Sequence, residues 1–140
     1  MKSEVPSPAM RDPTPMPIVL IVEDEPLVRS VMVDALHEEG FRVIEASNVS
    51  EAVLALEDQP DIAVVLTDVE MPPGARGFDL VREASKRWPH VRCVVTSGRT
   101  WPGPSDMPDT AAFLPKPWTS ETLTQCVWEA LDRVRVAHRR

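Results

Sequence analysis

Two absences narrow this chain before any motif is read. Cysteine is scarce: Cys93 and Cys126 sit in apolar surroundings with no CxxC or other ligand spacing, which predicts reduced core thiols rather than a disulfide framework or a zinc site. Long apolar runs are missing too, for none approaches the ~20 residues a membrane-spanning helix requires. The opening stretch MKSEVPSPAMRDPTPMP has no apolar segment of the kind a secretory signal carries. Cations are in the minority, 15 Lys and Arg against 22 Asp and Glu, for a formal charge of -7, whereas a nucleic-acid surface needs a concentrated basic face. A soluble, cytoplasmic protein contacting neither nucleic acid nor membrane is expected. His37, His90 and His138 are scattered without a partner pattern and read as surface residues. No internal repeat is present.

What is there suffices for one ordinary core: 140 residues, 43% of them hydrophobic. Prolines at 6, 8, 13, 15 and 17 disfavour regular structure, so residues 1–17 are expected to form a mobile arm, 18–137 a domain and 138–140 a short tail. Within the domain, β-rich runs alternate with helical periods, the pattern of parallel strands covered on both faces. IVLIV (18–22) is continuously apolar, as a central strand requires. FRVIEA (41–46) alternates in part and is placed nearer an edge; IAVVLT (62–67), VRCVVT (91–96) and AAFL (111–114) supply three further strands. Helical stripes follow at Val28, Val31, Met32 and Ala35, ending at Gly40; at Val49, Ala52, Val53 and Leu56; at Phe78, Val81, Ala84 and Trp88; and at Leu123, Cys126, Val127, Ala130, Leu131 and Val134. Between the fourth and fifth strands RTWPGPSDMPDT holds Pro102, Pro104 and Pro108 with Gly103, leaving room for a loop or a short distorted helix only.

In an open parallel sheet, ligands bind beyond the carboxyl ends of the strands. The first strand exits into Glu23 and Asp24, the third (VVLTDVEMPPG) into Asp68 and Glu70, the fourth into Thr96 and Ser97, and the fifth into Lys116. Acids, a hydroxyl and an amine are therefore expected on one rim. Clustered carboxylates repel unless a cation neutralises them, and an all-oxygen set suits a hard ion such as Mg²⁺, with Mn²⁺ also compatible. An Asp carboxylate can accept a phosphoryl group when a metal and a cation screen the charge that builds up, and Lys116 supplies a point charge for that purpose.

These four motifs, LIVEDEP, LTDVEMP, VVTSG and FLPKPW, in this order at successive strand ends, resemble the receiver domain of two-component response regulators over roughly residues 17–137. The resemblance implies a flavodoxin-like, doubly wound α/β fold with a five-stranded parallel sheet in the order 2-1-3-4-5. It implies Asp68 as the phosphoacceptor, Glu23 and Asp24 as the acid pair holding Mg²⁺, the Glu70 backbone carbonyl as a further ligand, Ser97 as the hydroxyl switch, Lys116 as the lysine of the pattern and Phe113 as the rotating aromatic. Ser97 is preferred to Thr96 as the switch because Gly98 follows it, and Lys116-Pro117 resembles the family's cis peptide. The partners implied are a sensor histidine kinase or phosphotransfer protein and an unknown downstream protein, the domain itself being a monomer or weak dimer and not an enzyme beyond its own phosphorylation and dephosphorylation.

Glu23 stands where Asp is commoner, the loop after Asp68 is one residue longer than usual, and residues 100–109 occupy the place of the family's fourth helix. Glu70 and Arg99, each two residues past a site residue, are expected to tune phosphate lifetime through an ion pair. Two other readings stay open. A Mg-dependent aspartyl-phosphate phosphatase would share the nucleophile, although its Asp usually lies on the first strand in a DxDx[TV] setting. A degenerate receiver serving only for docking is disfavoured by intact Asp68, Ser97 and Lys116.

Overall fold

The computed structural model describes residues 15–72, 76–103 and 105–139, with side chains through Asp132. Five strands, β1 (Ile18–Val22), β2 (Arg42–Ala46), β3 (Ile62–Asp68), β4 (Arg92–Ser97) and β5 (Ala112–Pro115), form one sheet in the order β2-β1-β3-β4-β5. All neighbours are parallel. Among the described residues four helices cover it: α1 (Pro26–Glu38), α2 (Val49–Asp58), α3 (Arg76–Arg87) and α4 (Ser120–Arg139).

The unbroken apolar run of β1 follows from having a core on either side. Leu20 and Val22 face α2 and α3, where Ala52, Leu56, Phe78, Val81 and Ala84 are buried. Val19 and Ile21 face α1 and α4, against Met32, Leu36, Leu123 and Val127. Adjacent β3 keeps both faces filled across a register shift: Ile18 pairs with Ile62 but Val19 with Val64. β2 lies at the edge, as its partial alternation predicts, with two of its five residues exposed.

Local chemistry sets the helix ends. α1 begins with Pro26, whose missing N–H is no loss in a first turn. It closes as Gly40 N–H donates to His37 O and Phe41 N–H to Leu36 O, with Gly40 at φ 92°, a termination that favours glycine. Asn48 caps α2 by accepting the Glu51 N–H, while Glu51 accepts from the Ser47 N–H and hydroxyl. Thr119 and Thr122 cap α4 reciprocally, each side chain accepting the other's N–H.

Three readings of the sequence change. Val31 is 50% exposed rather than part of the inward stripe of α1; Leu36 takes that role. Residues 1–14 of the expected arm lie outside the described residues, but Met16 and Pro17 are tied to the domain, their carbonyls accepting from Arg42 Nε and Arg42 N–H. α4 continues through residue 139, beyond the expected boundary at 137. Between β4 and β5 no helix forms among the described residues. That crossover packs Met107 and Ala111 onto the α2/α3 side of the core, and Arg82 of α3 donates to the Asp106 carbonyl at 2.9 Å. No helix among the described residues is long and apolar enough to cross a membrane.

Candidate functional site

β1 and β3 are neighbours in the sheet, so Glu23, Asp24 and Asp68 leave it side by side, and Lys116, just after β5, reaches Asp68 from beyond β4. Glu23 follows β1 with its N–H donating to Ala46 O at 3.0 Å. Its carbonyl accepts from Arg29 at 2.8 Å and its Oε2 from the Glu25 N–H at 3.1 Å. Oε1 is buried without a hydrogen-bond partner. Asp68, the last residue of β3, is 3% exposed; its Oδ1 is likewise held by no hydrogen bond and faces Lys116 Nζ at 3.3 Å. The Lys116-Pro117 peptide is cis. One oxygen from each of Glu23, Asp24 and Asp68 lies within 4.8 Å of the others. An open cleft of about 630 Å³ is lined by these residues with Glu70, Arg99, Thr100 and Lys116.

The electrostatics agree with that geometry. Burial pushes the Glu23 carboxyl up to about 7, with the Glu25 N–H opposing and the nearby Asp68 charge adding to the rise. Asp68 is also raised by burial, against the pull of the Lys116 ammonium. Two buried acids with unsatisfied oxygens and a third beside them are a donor set that fits a hard divalent cation.

Glu70 stands differently. Its carboxylate accepts from the Ser97 hydroxyl and, at 2.9 Å, from the Thr100 N–H. Burial works to raise it, but the hydrogen bonds from Ser97 and Thr100 prevail and hold it below the usual carboxylate range. Among the described residues Glu70 makes no ion pair with Arg99, so the expected shielding pair is absent here: the hydroxyl and the N–H take the carboxylate instead. Ser97 is buried and does not line the cleft. Thr96 is fully buried, its hydroxyl without a partner. Phe113 is half-buried on the α2/α3 side of the core, under the ring of Trp101 at 4.9 Å between centroids. Neither that stack nor the Thr100 N–H is marked in the sequence, beyond a Trp among prolines.

Cys93 is a buried thiol pushed up to about 12 by its surroundings, in keeping with a core role. The loop after Asp68 is described only to Pro72, and residues 73–75 lie outside the described residues.

Comparison with known proteins agrees with this arrangement. The chain is 37% identical over 121 residues to the transcriptional regulatory protein PdtaR of Mycobacterium tuberculosis, an alignment covering 84% of this chain and 58% of that protein. It is 33% identical over 123 residues to the hydrogenase transcriptional regulatory protein HoxA of Cupriavidus necator, covering 81% and 24%. The chain thus spans between a quarter and about three fifths of these relatives. Among solved structures, a response regulator receiver protein from Sinorhizobium medicae superposes with a TM-score of 0.74 at 27% identity, covering 84% of this chain and 95% of that one. Residues 19–127 match the family model described as the response regulator receiver domain. Strand order, an acid pair after β1, an Asp closing β3 and a Lys after β5 all converge with that match, and the chain belongs to the receiver-domain family of two-component response regulators.

Proposed function

We propose that Asp68 accepts a phosphoryl group from a histidine kinase or phosphotransfer protein in the cytoplasm, and that the resulting charge alters a surface read by a downstream protein. What carries this reading is the buried, unbonded Oδ1 of Asp68 beside the equally unbonded Oε1 of Glu23, with the Lys116 ammonium 3.3 Å away. Glu23, Asp24 and Asp68, with the Glu70 backbone carbonyl, would hold Mg²⁺, or Mn²⁺ in its place. Bound there, the ion supplies positive charge that offsets the clustered carboxylates and the anionic group in transfer.

The chain's own part is positional. β3 brings Asp68 to the cleft in a fixed direction, because its backbone is paired on both sides, with Val22–Thr67 and Asp68–Thr96 as the last partners. The Asp68 carboxylate attacks phosphorus, the bond from phosphorus to the donor's imidazole nitrogen breaks, and that nitrogen keeps the electron pair. Lys116 faces the same carboxylate and offsets the charge gained at the acceptor. Ser97 is the hydroxyl that would turn to the new phosphoryl oxygens, and Phe113 the aromatic that would move with it. A protein partner is supported by an apolar hollow of about 420 Å³ beside the site, lined by Val28, Val31, Lys116, Pro117 and Trp118, with Leu27 82% exposed nearby in sequence.

Incubation with Mg²⁺ and a small-molecule phosphodonor, followed by intact-mass measurement, tests the proposal. The wild type is expected to gain one phosphate and Asp68→Asn none. Turnover of many donor equivalents per chain would instead favour the phosphatase reading, and no gain in any form the docking module.

A further inference from the structure

The Ser97 hydroxyl is committed. It donates to Glu70 Oε2, the same oxygen accepts the Thr100 N–H at 2.9 Å, and that N–H also lies 3.0 Å from Ser97 Oγ. Groups from the ends of β3 and β4 so close a small ring. The residue after Thr100 is Trp101, whose indole lies over Phe113 with ring planes at 57° while remaining 65% exposed. No helix secures this segment, and Pro102 follows with no N–H to give. The ring formed with Glu70 is therefore the polar tie that fixes where Trp101 begins.

We propose that Glu70 is a positioning residue that acts as a latch, taking the Ser97 hydroxyl and the Thr100 N–H so that residues 97–101 hold Trp101 over Phe113. A hydroxyl has a single proton to donate, and a carboxylate and a phosphoryl oxygen are competing anionic acceptors for it. Ser97 must leave Glu70 before it can serve an anion on Asp68, and when it leaves the ring opens at Thr100. Trp101 is then no longer fixed at its first backbone tether, and the Trp101–Phe113 stack becomes the part of the surface that differs between the two states. Only the statement about Asp68 rests on the function proposed above; the latch itself rests on the Glu70, Ser97 and Thr100 contacts.

The test uses the full chain labelled with 5-fluorotryptophan, the Trp101 resonance being assigned with Trp101→Phe. In metal-free protein, Glu70→Ala is expected to shift and narrow the Trp101 line while those of Trp88 and Trp128 stay in place, with Glu70→Gln, a neutral acceptor of similar shape, intermediate. With Mg²⁺ present, the beryllofluoride concentration at half-saturation should fall about tenfold in Glu70→Ala, the order expected for releasing a hydrogen bond to a charged group, and by less in Glu70→Gln. An unmoved Trp101 line in Glu70→Ala, movement of all four tryptophan lines together, or equal beryllofluoride midpoints would each overturn the latch. If neither wild type nor variants take up beryllofluoride, the Asp68 reading falls and the metal-free Trp101 spectra decide the latch alone.

Discussion

Gly77→Ala is expected to destabilise the domain by at least about 3 kcal/mol, the upper end of what overpacking a tight contact does. A Cβ built at Gly77 would lie 2.3 Å from the Asp68 carbonyl oxygen and 2.7 Å from Val69 Cα. Both are backbone atoms in the segment that ends β3, so no rotamer change relieves the clash. Alanine's better helix propensity returns only about 1 kcal/mol, and the substitution loses. The same contact couples stability to chemistry, because whatever moves to admit the methyl moves Asp68 itself. Gly98→Ala is the control: its Cβ would meet Lys116 Cβ at 3.5 Å, an ordinary contact, and a change within about 0.5 kcal/mol is expected. Urea unfolding of both variants measures the difference, and equal midpoints would contradict the packing argument.

The metal-free domain is expected to lose stability as pH rises from 4.5 to about 7, the interval between the ordinary and the folded-state values of Glu23. In that interval the folded protein keeps a proton that the unfolded chain has released. The folded state then binds more protons, and the stability of a state that binds more protons falls with rising pH. Asp68, also raised by burial, works in the same direction. One pKa unit corresponds to about 1.4 kcal/mol, and with relaxation of the open cleft the penalty on charging Glu23 is on the order of 2 kcal/mol. Glu23→Gln should recover most of it at about pH 8 and flatten the slope. Added Mg²⁺ should stabilise the wild type at high pH more than the variant, since a ligand that binds only the folded state raises its stability by mass action. Chemical denaturation in chelator across this range is the measurement, and a stability that climbs between 4.5 and 7 would refute the assignment.

Much of the architecture was legible because the patterning is strong where the packing is strong. IVLIV is apolar throughout because two helical layers need opposite side chains of one strand, and the stripe Leu123, Val127 and Ala130 is buried as its spacing predicts. The convergence of Glu23, Asp24, Asp68 and Lys116 was legible for a topological reason: parallel strands deliver all their exits to one rim. Less legible were choices settled by tertiary contact. Val31 fits the period of α1 yet points outward, because burial depends on where the neighbouring helix lies rather than on spacing alone. Glu70 was expected to pair with Arg99, each lying two residues past a site residue, but the Ser97 hydroxyl and the Thr100 N–H, donors at fixed short range, outcompete a flexible guanidinium that would have to be immobilised. The path of residues 98–111 could be bounded, as lacking a regular helix, but not drawn, since prolines forbid one conformation without selecting another.

The short fifth strand carries a consequence for association. β5 is an outer strand of four residues ending in Pro115, which sits opposite Ser97. An amide-free residue at the tip of so brief an outer strand makes a poor template for adding a sixth. Copies of this domain that meet on that flank would do so through side chains such as Trp101, 65% exposed, rather than by extending the sheet.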